Sequence, residues 1–424
     1  VLLIALIGVS ALLPLLMIQY PEPTAFLVVA KALAKIGSLV GTVLFVWQLV
    51  LGFRVISSFF HSDLLWTVRL HERLGIGAIL LILLHPVFIS VYYAMKFGRN
   101  LWSFDLGRPF DAFVLLGVGL LGLLAFIFVT SVFLRKRLGY GRWFATHLAT
   151  YAVVPLVMAH SLPIGMTLRK TPLGWYWLVL AAVAAVVVAG RLLNLMGWRT
   201  RAYDVTASRE LAPAVREFTM RPRSGRLVPA IGQFVYLRRR GAGSQRPYSV
   251  AGYDADSGDI RVAAKAGRGF SVELQHLRPG DPMHLDGPYG VFGQEALASD
   301  RPLVMAAGGI GITAFTRMVE HLEATGGRDA YLFYGNQHVD QIAYRQELDA
   351  LTRVEVVHVI SGQDDYAGEK GFITVELMSR HVCSPLDRCE VLICGPPVMT
   401  AKLESQLRAA GVCDDQIHHE LFGF

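Results

Sequence analysis

Five histidines lie in the first 200 residues, and four fall in apolar stretches: His71 and His85, then His147 and His160. An ionisable ring inside a bilayer is costly and is a functional candidate by default. For any one of them, interhelical hydrogen bonding is the plainer reading. Two pairs at nearly equal spacing, with 13 and 12 intervening residues, point instead to ligation. These separations correspond to helical rises of about 21 Å and about 19.5 Å. His71 can therefore pair with His147 near one side of a membrane, and His85 with His160 near the other. Imidazole is an axial ligand of haem iron, and two haems stacked this way would carry electrons across the bilayer. Metal-only sites fit less well, because no Cys, and no carboxylate but Glu72, accompanies these histidines in the spans. Helical phase raises a difficulty. His71 and His85 fall within about 40° of one face, whereas His147 and His160 are about 140° apart. Pro155 lies between the latter two, and a tightened stretch there is predicted to swing His160 back.

A second set of chemistry-bearing residues belongs to the other half. Arg246-Pro247-Tyr248-Ser249 offers a cation, a ring and a hydroxyl, a set suited to a flavin. Lys265-Ala266-Gly267-Arg268-Gly269-Phe270-Ser271 opens a predicted helix through Leu277. Small residues before a helix N-terminus suit a pyrophosphate. Gly308, Gly309, Gly311 and Thr313 form a Gly-rich loop between a predicted strand and helix, the context of a dinucleotide phosphate site. Cys394-Gly395-Pro396-Pro397 ends a later strand at the same edge. Each stretch alone reads as an ordinary turn, with Cys394 a small buried residue. Their order makes a flavin site followed by a nicotinamide site the better reading.

The elements that must position these residues differ between the halves. The 424 residues are 53% apolar and only 17% charged, with a mean hydropathy of +0.44. Residues 1–200 carry 16 Lys+Arg against 5 Asp+Glu, and residues 201–424 carry 24 against 28. The basic pI of 9.2 thus comes from the hydrophobic half, which argues against nucleic acid. Six stretches have the length of a membrane span: 1–19, 36–57, 71–95, 112–134, 142–165 and 175–197. The first lacks a Met and a basic n-region, so it reads as a span entered midway, with a trimmed N-terminus expected. Arg54, Arg69 and Arg73, then Arg135, Lys136, Arg137 and Arg142, then Arg199 and Arg201 make the denser basic loops. The positive-inside rule puts these in the cytoplasm with both termini. From residue 202, short strands at 203–206, 217–221, 233–238, 260–264 and 283–286 predict a small antiparallel β-barrel. From Arg301, alternating strands and helices predict a doubly wound parallel sheet. Helices are expected from Ile312, from Gln341, near Thr374 and from Pro397. The expected division is 1–200 membrane domain, 201–298 flavin barrel and 299–424 nucleotide domain. All four cysteines (Cys383, Cys389, Cys394, Cys413) lie near the C-terminus, the usage of a reducing compartment.

With these motifs in place, the whole chain resembles the NADPH oxidase and ferric reductase superfamily: a six-helix haem bundle followed by a ferredoxin-reductase-like module. The resemblance implies two b-type haems on His71/His147 and His85/His160. It implies FAD on Arg246, Pro247, Tyr248, Ser249, Lys265, Gly269, Phe270 and Ser271, and NADPH or NADH on Gly308, Gly309, Gly311, Thr313, Cys394, Gly395 and Pro396. The ending Glu420-Leu421-Phe422-Gly423-Phe424 resembles one in which a terminal aromatic covers the flavin, a role implied for Phe424; Phe424 and Cys394 are the expected catalytic residues. Departures bear on preference. Gln337 stands where NADPH-preferring relatives often carry Arg, with Arg345 further along. Ile89 stands one turn beyond His85, where dedicated oxidases tend to place a His or Arg; Lys35 is a possible substitute. Arg54, Arg69 and Arg73 are candidate partners for haem propionates or simply topology charges, and Tyr151 either lies between the haems or packs the core. The expected function is electron transfer from cytosolic NAD(P)H to oxygen, giving superoxide. A ferric chelate is the alternative acceptor, and a membrane haem sensor a more distant reading. A multi-pass inner (plasma) membrane location in contact with lipid is expected, with no nucleic acid and no obligatory protein partner.

Overall fold

In the computed structural model, which describes residues 2–18, 21–60, 63–239, 245–267 and 269–420, the chain divides into two units, Val1–Leu193 and Asn194–Phe424. The first unit is helical: α1 (Leu2–Leu12), α2 (Ala25–Lys35), α3 (Gly41–Gly52), α4 (Arg54–Phe60), α5 (Leu64–Phe97), α6 (Pro109–Val132), α7 (Arg135–His147), α8 (Thr150–Ile164), α9 (Met166–Lys170) and α10 (Leu173–Leu195). Local chemistry sets the ends. Thr24 caps α2 through Leu27 N–H, and Asp63 caps α5 through Leu65 and Trp66 N–H. Gly98 closes α5 at φ 59°, a left-handed conformation that costs glycine nothing. Pro109 opens α6, where its missing N–H is no loss.

Among the described residues five stretches are long and apolar enough to cross a membrane: Ala25–Gly52, Leu64–Phe97, Pro109–Val132, Gly141–Ile164 and Leu173–Asn194. Leu80, Leu83 and Val87 on α5 face outward, as lipid contact requires. The expected first span is a shorter apolar helix, Leu2–Met17. The second begins at Ala25 rather than residue 36, because a π turn at Ile36–Val40 joins α2 to α3 instead of ending it. Lys35 therefore lies within the helix and not at its mouth. The helical break in the fifth stretch also differs from expectation. It falls at Leu148–Ala149, where Ala149 N–H bonds Thr146 O at 3.1 Å and Tyr151 N–H bonds Leu148 O at 3.1 Å. Pro155 itself sits inside α8. The tightened turns thus lie upstream of the proline, at Thr146–Tyr151.

The second unit begins with a seven-stranded antiparallel sheet: β1 (Arg201–Ala212), β2 (Val215–Pro222), β3 (Phe234–Arg238), β4 (Arg246–Ser249), β5 (Gly252–Tyr253), β6 (Ile260–Lys265) and β7 (Pro282–Tyr289). Its order is β4-β3-β7-β1-β2-β6-β5. The edge strands β4 and β5 share no ladder among the described residues, so the predicted barrel is an open sheet in its hydrogen bonding. Tyr203, Phe218, Met220, Leu237, Ile260 and Met283 fill its core beside α11 (Phe270–Leu274), which stops short of the expected Leu277.

After α12 (Gln294–Ala298) comes the parallel sheet. Its strands are β8 (Leu303–Gly308), β9 (Ala330–Asn336), β10 (Val354–Ile360), β11 (Glu369–Lys370), β12 (Glu390–Cys394) and β13 (Ile417–Glu420), in the order β11-β10-β9-β8-β12-β13. Alternate residues of each strand face opposite layers. Leu303, Met305 and Leu332 pack with Phe315 and Met318 of the α13 (Thr316–Thr325) side, and near α14 (Arg345–Asp349). Val304, Ala306 and Phe333 pack with Leu377 of α15 (Val375–His381) and Leu403 of α16 (Pro397–Ala409). Two expected helices start later, since 3₁₀ turns at Gly309–Ala314 and Val339–Gln341 precede α13 and α14.

Candidate functional site

In the membrane unit the structure brings both histidine pairs together. The ring centroids of His71 and His147 lie 6.1 Å apart with planes at 71°. Those of His85 and His160 lie 6.3 Å apart at 77°. Two imidazoles sharing one metal at about 2 Å from each ring nitrogen would have centroids roughly 6 Å apart, so both pairs fit that arrangement. Three of their other nitrogens are engaged. His85 Nδ1 lies 3.1 Å from Ala34 O, and His160 Nδ1 lies 2.7 Å from Phe113 O. A carbonyl only accepts, so Nδ1 carries the proton in both rings and Nε2 keeps its lone pair. His147 Nδ1 lies 3.0 Å from Ser131 Oγ. The fourth, His71 Nδ1, is buried without a hydrogen bond.

Several neighbours of these pairs carry no signal in the sequence. A Cβ built at Gly117 would stand 2.5 Å from His160 Cε1, and one at Gly37 would stand 2.7 Å from His85 N. Each glycine thus leaves room for a helix bearing a histidine. Trp143 stacks on His147 with centroids 5.2 Å apart at 27°, and Arg135 Cζ lies 4.6 Å from the Trp143 ring. Arg135 also pairs with Glu72, next to His71, at 3.1 Å. Arg191 lies beside Phe53 and Phe144. Of the arginines singled out from the sequence, Arg69 and Arg73 are exposed and Arg54 is half-buried. Ile89 packs on the cluster of Leu27, Ala30 and Tyr92, and Tyr151 packs against the helical core.

In the second unit the two halves of the nucleotide motif converge. The sheet order reverses between β8 and β12, and ligands of such sheets bind at the strand carboxyl ends beside that point. Gly308–Thr313 follows β8, and Cys394-Gly395-Pro396 ends or follows β12. A Cβ at Gly308 would meet Pro396 Cδ and Met399 Sδ, both at 2.8 Å. A Cβ at Gly395 would lie 3.1 Å from Gly308 Cα. Thr313 is buried, its Oγ1 donating to Ile310 O at 3.0 Å. Cys394 is fully buried, and burial followed by the nearby Glu420 charge pushes its thiol well above the usual range. It therefore stays protonated. Gln337 is exposed just beyond β9, and Arg345 pairs with Asp349 at 3.5 Å.

The proposed flavin residues occupy β4 and the segment after β6. Arg246 is exposed, Pro247 and Tyr248 are half-buried, and Ser249 Oγ is buried without a hydrogen-bond partner. Burial pushes the Tyr248 phenol up to about 12, against a smaller opposite effect of Arg246. Lys265 is exposed, Gly269 takes φ 63°, Phe270 is buried and Ser271 is half-buried. Arg268 and Phe424 lie outside the described residues.

Residues 37–158 match the ferric reductase like transmembrane component, and residues 305–404 match the oxidoreductase NAD-binding domain. NADH-cytochrome b5 reductase 1 of Arabidopsis thaliana is 29% identical over 195 residues, 43% of this chain and 69% of that protein. The Xylella fastidiosa flavohemoprotein is 26% identical over 266 residues, 58% of this chain and 66% of its own length. The toluate 1,2-dioxygenase electron transfer component of Pseudomonas putida is 26% identical, with 58% of its length matched. The fold of the Malassezia yamatoensis flavohemoglobin, solved with FAD and heme, superposes with a TM-score of 0.50 at 16% identity, over 93% of this chain and 98% of that one. The chain is an oxidoreductase that joins a ferric reductase-like transmembrane component to an NAD-binding domain, an architecture that matches the NADPH oxidase and ferric reductase type.

Proposed function

We propose that this protein moves electrons from NAD(P)H on the cytoplasmic side of the inner (plasma) membrane, through FAD and two b-type haems, to oxygen outside, giving superoxide. The carrying observation is that two histidine pairs share one centroid spacing, with three of the four Nδ1 atoms anchored. Each pair supplies two axial nitrogens only, and among the described residues no third His, Cys, Asp or Glu joins them. A macrocycle with four equatorial nitrogens suits such a pair. Haem and flavin would supply the one-electron and hydride chemistry; the protein's part is to hold, orient and insulate them.

In this reading residues 201–298 hold the flavin, with Arg246 and Lys265 offering charge, Tyr248 a ring and Ser249 an unused buried hydroxyl. Residues 299–424 hold the nicotinamide nucleotide, with Gly308, Gly309 and Gly311 keeping side chains out of the phosphate path and Gly395 and Pro396 bounding it. Phe424 would cover the flavin until the nicotinamide displaces it. Both termini lie in the cytoplasm, and six spans cross the lipid.

The test is a reduced-minus-oxidised spectrum with haem-to-flavin stoichiometry on detergent-purified protein. Two haems per chain are expected, with loss of one in His85→Ala; apoprotein or a single haem overturns the reading. The acceptor is tested by aerobic cytochrome c reduction with NADPH or NADH. Inhibition by superoxide dismutase is expected. The match to a ferric reductase-like component favours a second reading, a ferric chelate as acceptor, and dismutase-insensitive reduction would favour it.

A further inference from the structure

We propose that Arg191 binds the carboxylate edge of the group held between His71 and His147. This inference rests on the haem reading above and deepens it, because it fixes which edge of the macrocycle faces α10.

Arg191 lies within the Leu173–Asn194 stretch, where an uncompensated charge is expensive and marks a functional partner. Several cations of this unit have a counter-ion. Lys31 and Lys96 share Glu22, Arg99 has Asp111 and Arg135 has Glu72. Among the described residues Arg191 has neither an ion pair nor a hydrogen bond, and its Nε is buried without a partner. Its two ring neighbours give its position. The guanidinium Cζ lies 5.8 Å from the Phe53 centroid and 5.9 Å from that of Phe144.

Both rings are neighbours in sequence of residues at the His71/His147 pair. Phe144 lies one helical turn before His147. Phe53 follows Gly52, whose absent Cβ would face His71 Cε1 at 3.4 Å. Beside Arg191, a Cβ at Gly190 would stand 3.1 Å from Phe53 Cε1, so α10 approaches closely here. A charge enclosed by two rings and lacking a counter-ion suits an anion brought by a ligand. A planar guanidinium matches a carboxylate through two parallel hydrogen bonds, and haem carries two such groups. An anionic phospholipid headgroup is the other source of an anion at this depth.

The test uses the full chain purified with its cofactors, as wild type, Arg191→Gln and Arg191→Lys, in nanodiscs of phosphatidylcholine alone or with phosphatidylglycerol. His71→Ala and His85→Ala assign the two haem bands. Midpoint potentials are read by spectroelectrochemical titration, and haem release by transfer to apomyoglobin. Arg191→Gln is expected to lower the potential of the His71/His147 haem and speed its release several-fold in both lipids. The His85/His160 haem should be unchanged, and Arg191→Lys should restore part of the effect. Equal potentials and release rates in Arg191→Gln and wild type overturn the proposal. So does an effect seen only with phosphatidylglycerol, which would assign the anion to lipid. If His71→Ala keeps both haem bands, the haem reading itself has failed.

Discussion

Trp143 lies flat against His147, ring centroids 5.2 Å apart and planes 27° from parallel. The stack fixes one ring of the pair, while Ser131 engages its Nδ1 at 3.0 Å. The angle of 71° to His71 is therefore held from two directions. For a low-spin ferric haem with two imidazoles, the paramagnetic resonance signal depends on the angle between the ligand planes. Trp143→Leu is expected to shift and broaden that signal for one of the two haems, and Trp143→Phe to preserve most of it. An unchanged spectrum in Trp143→Leu would mean that the stack does not set the ring plane.

The other pair depends on a missing side chain. Phe113 O holds His160 Nδ1 at 2.7 Å, and Gly117, one turn further along α6, leaves the space the ring occupies. In Gly117→Ala the new Cβ meets the imidazole at 2.5 Å, so the ring or the helix must shift. Overpacking of this kind costs about 1–3 kcal/mol. Haem content is expected to fall from two towards one, with the His71/His147 absorbance retained. Full retention of both bands would place His160 elsewhere in the loaded protein.

How much of this was legible in the sequence follows from what each residue touches. The histidine pairs were legible because their near-equal spacing lies within two apolar stretches and can be read along the sequence alone. The nucleotide loops were legible because Gly308 and Cys394 each end a strand, and parallel strands bring such ends to one edge. Gly117 was not, since its role depends on His160, far along the chain. The start of α2 was misread because Lys31 and Lys35 look like loop charges; Glu22 neutralises Lys31 and lets the helix run through. The break expected at Pro155 lies instead at Leu148–Ala149, between α7 and α8, and Pro155 is accommodated inside α8. The edge strand β13, Ile417-His418-His419-Glu420, has too few apolar residues to show alternation.

One link within the second unit predicts a stability effect. Tyr344 Oη donates to Glu217 Oε1 at 2.8 Å, joining the residue before α14 to β2. Both side chains are buried, and Arg209 reaches the other carboxylate oxygen at 3.1 Å. Burial, reinforced by the Glu217 charge, pushes the Tyr344 phenol well above its usual range, so it remains a donor at all working pH. Tyr344→Phe leaves a buried acceptor short of a partner and is expected to cost about 1–3 kcal/mol. Glu217→Ala is expected to cost about as much, about 1–3 kcal/mol, because it leaves the buried Tyr344 hydroxyl without its acceptor, while Arg209 keeps Glu347 at 2.6 Å. The temperature at which bound flavin fluorescence rises should fall in both; no change in Tyr344→Phe would mean the hydrogen bond contributes nothing to holding the two sheets together.

Glu22 ties the segment before α2 to the end of α5. Its buried carboxylate accepts from Lys31 Nζ at 2.8 Å, Lys96 Nζ at 2.6 Å and Tyr92 Oη at 2.7 Å. Lys31 first, and then Lys96, lower its pKa from 4.5 to about 2, against an opposing effect of burial. A carboxyl whose pKa is lowered on folding adds stability above its unfolded value and loses it as protons bind the folded form. The contribution should therefore be constant above about pH 5 and fade between 4.5 and about 2. Glu22→Gln removes the charge but keeps the shape. The difference in unfolding stability between wild type and Glu22→Gln, followed by helix content in detergent, is expected to favour wild type near neutrality. It should shrink steadily as the pH is lowered through that window. A difference that stays level down to about pH 2 would show that the lysines gain nothing from the ionised carboxylate, and that packing alone joins the two helices.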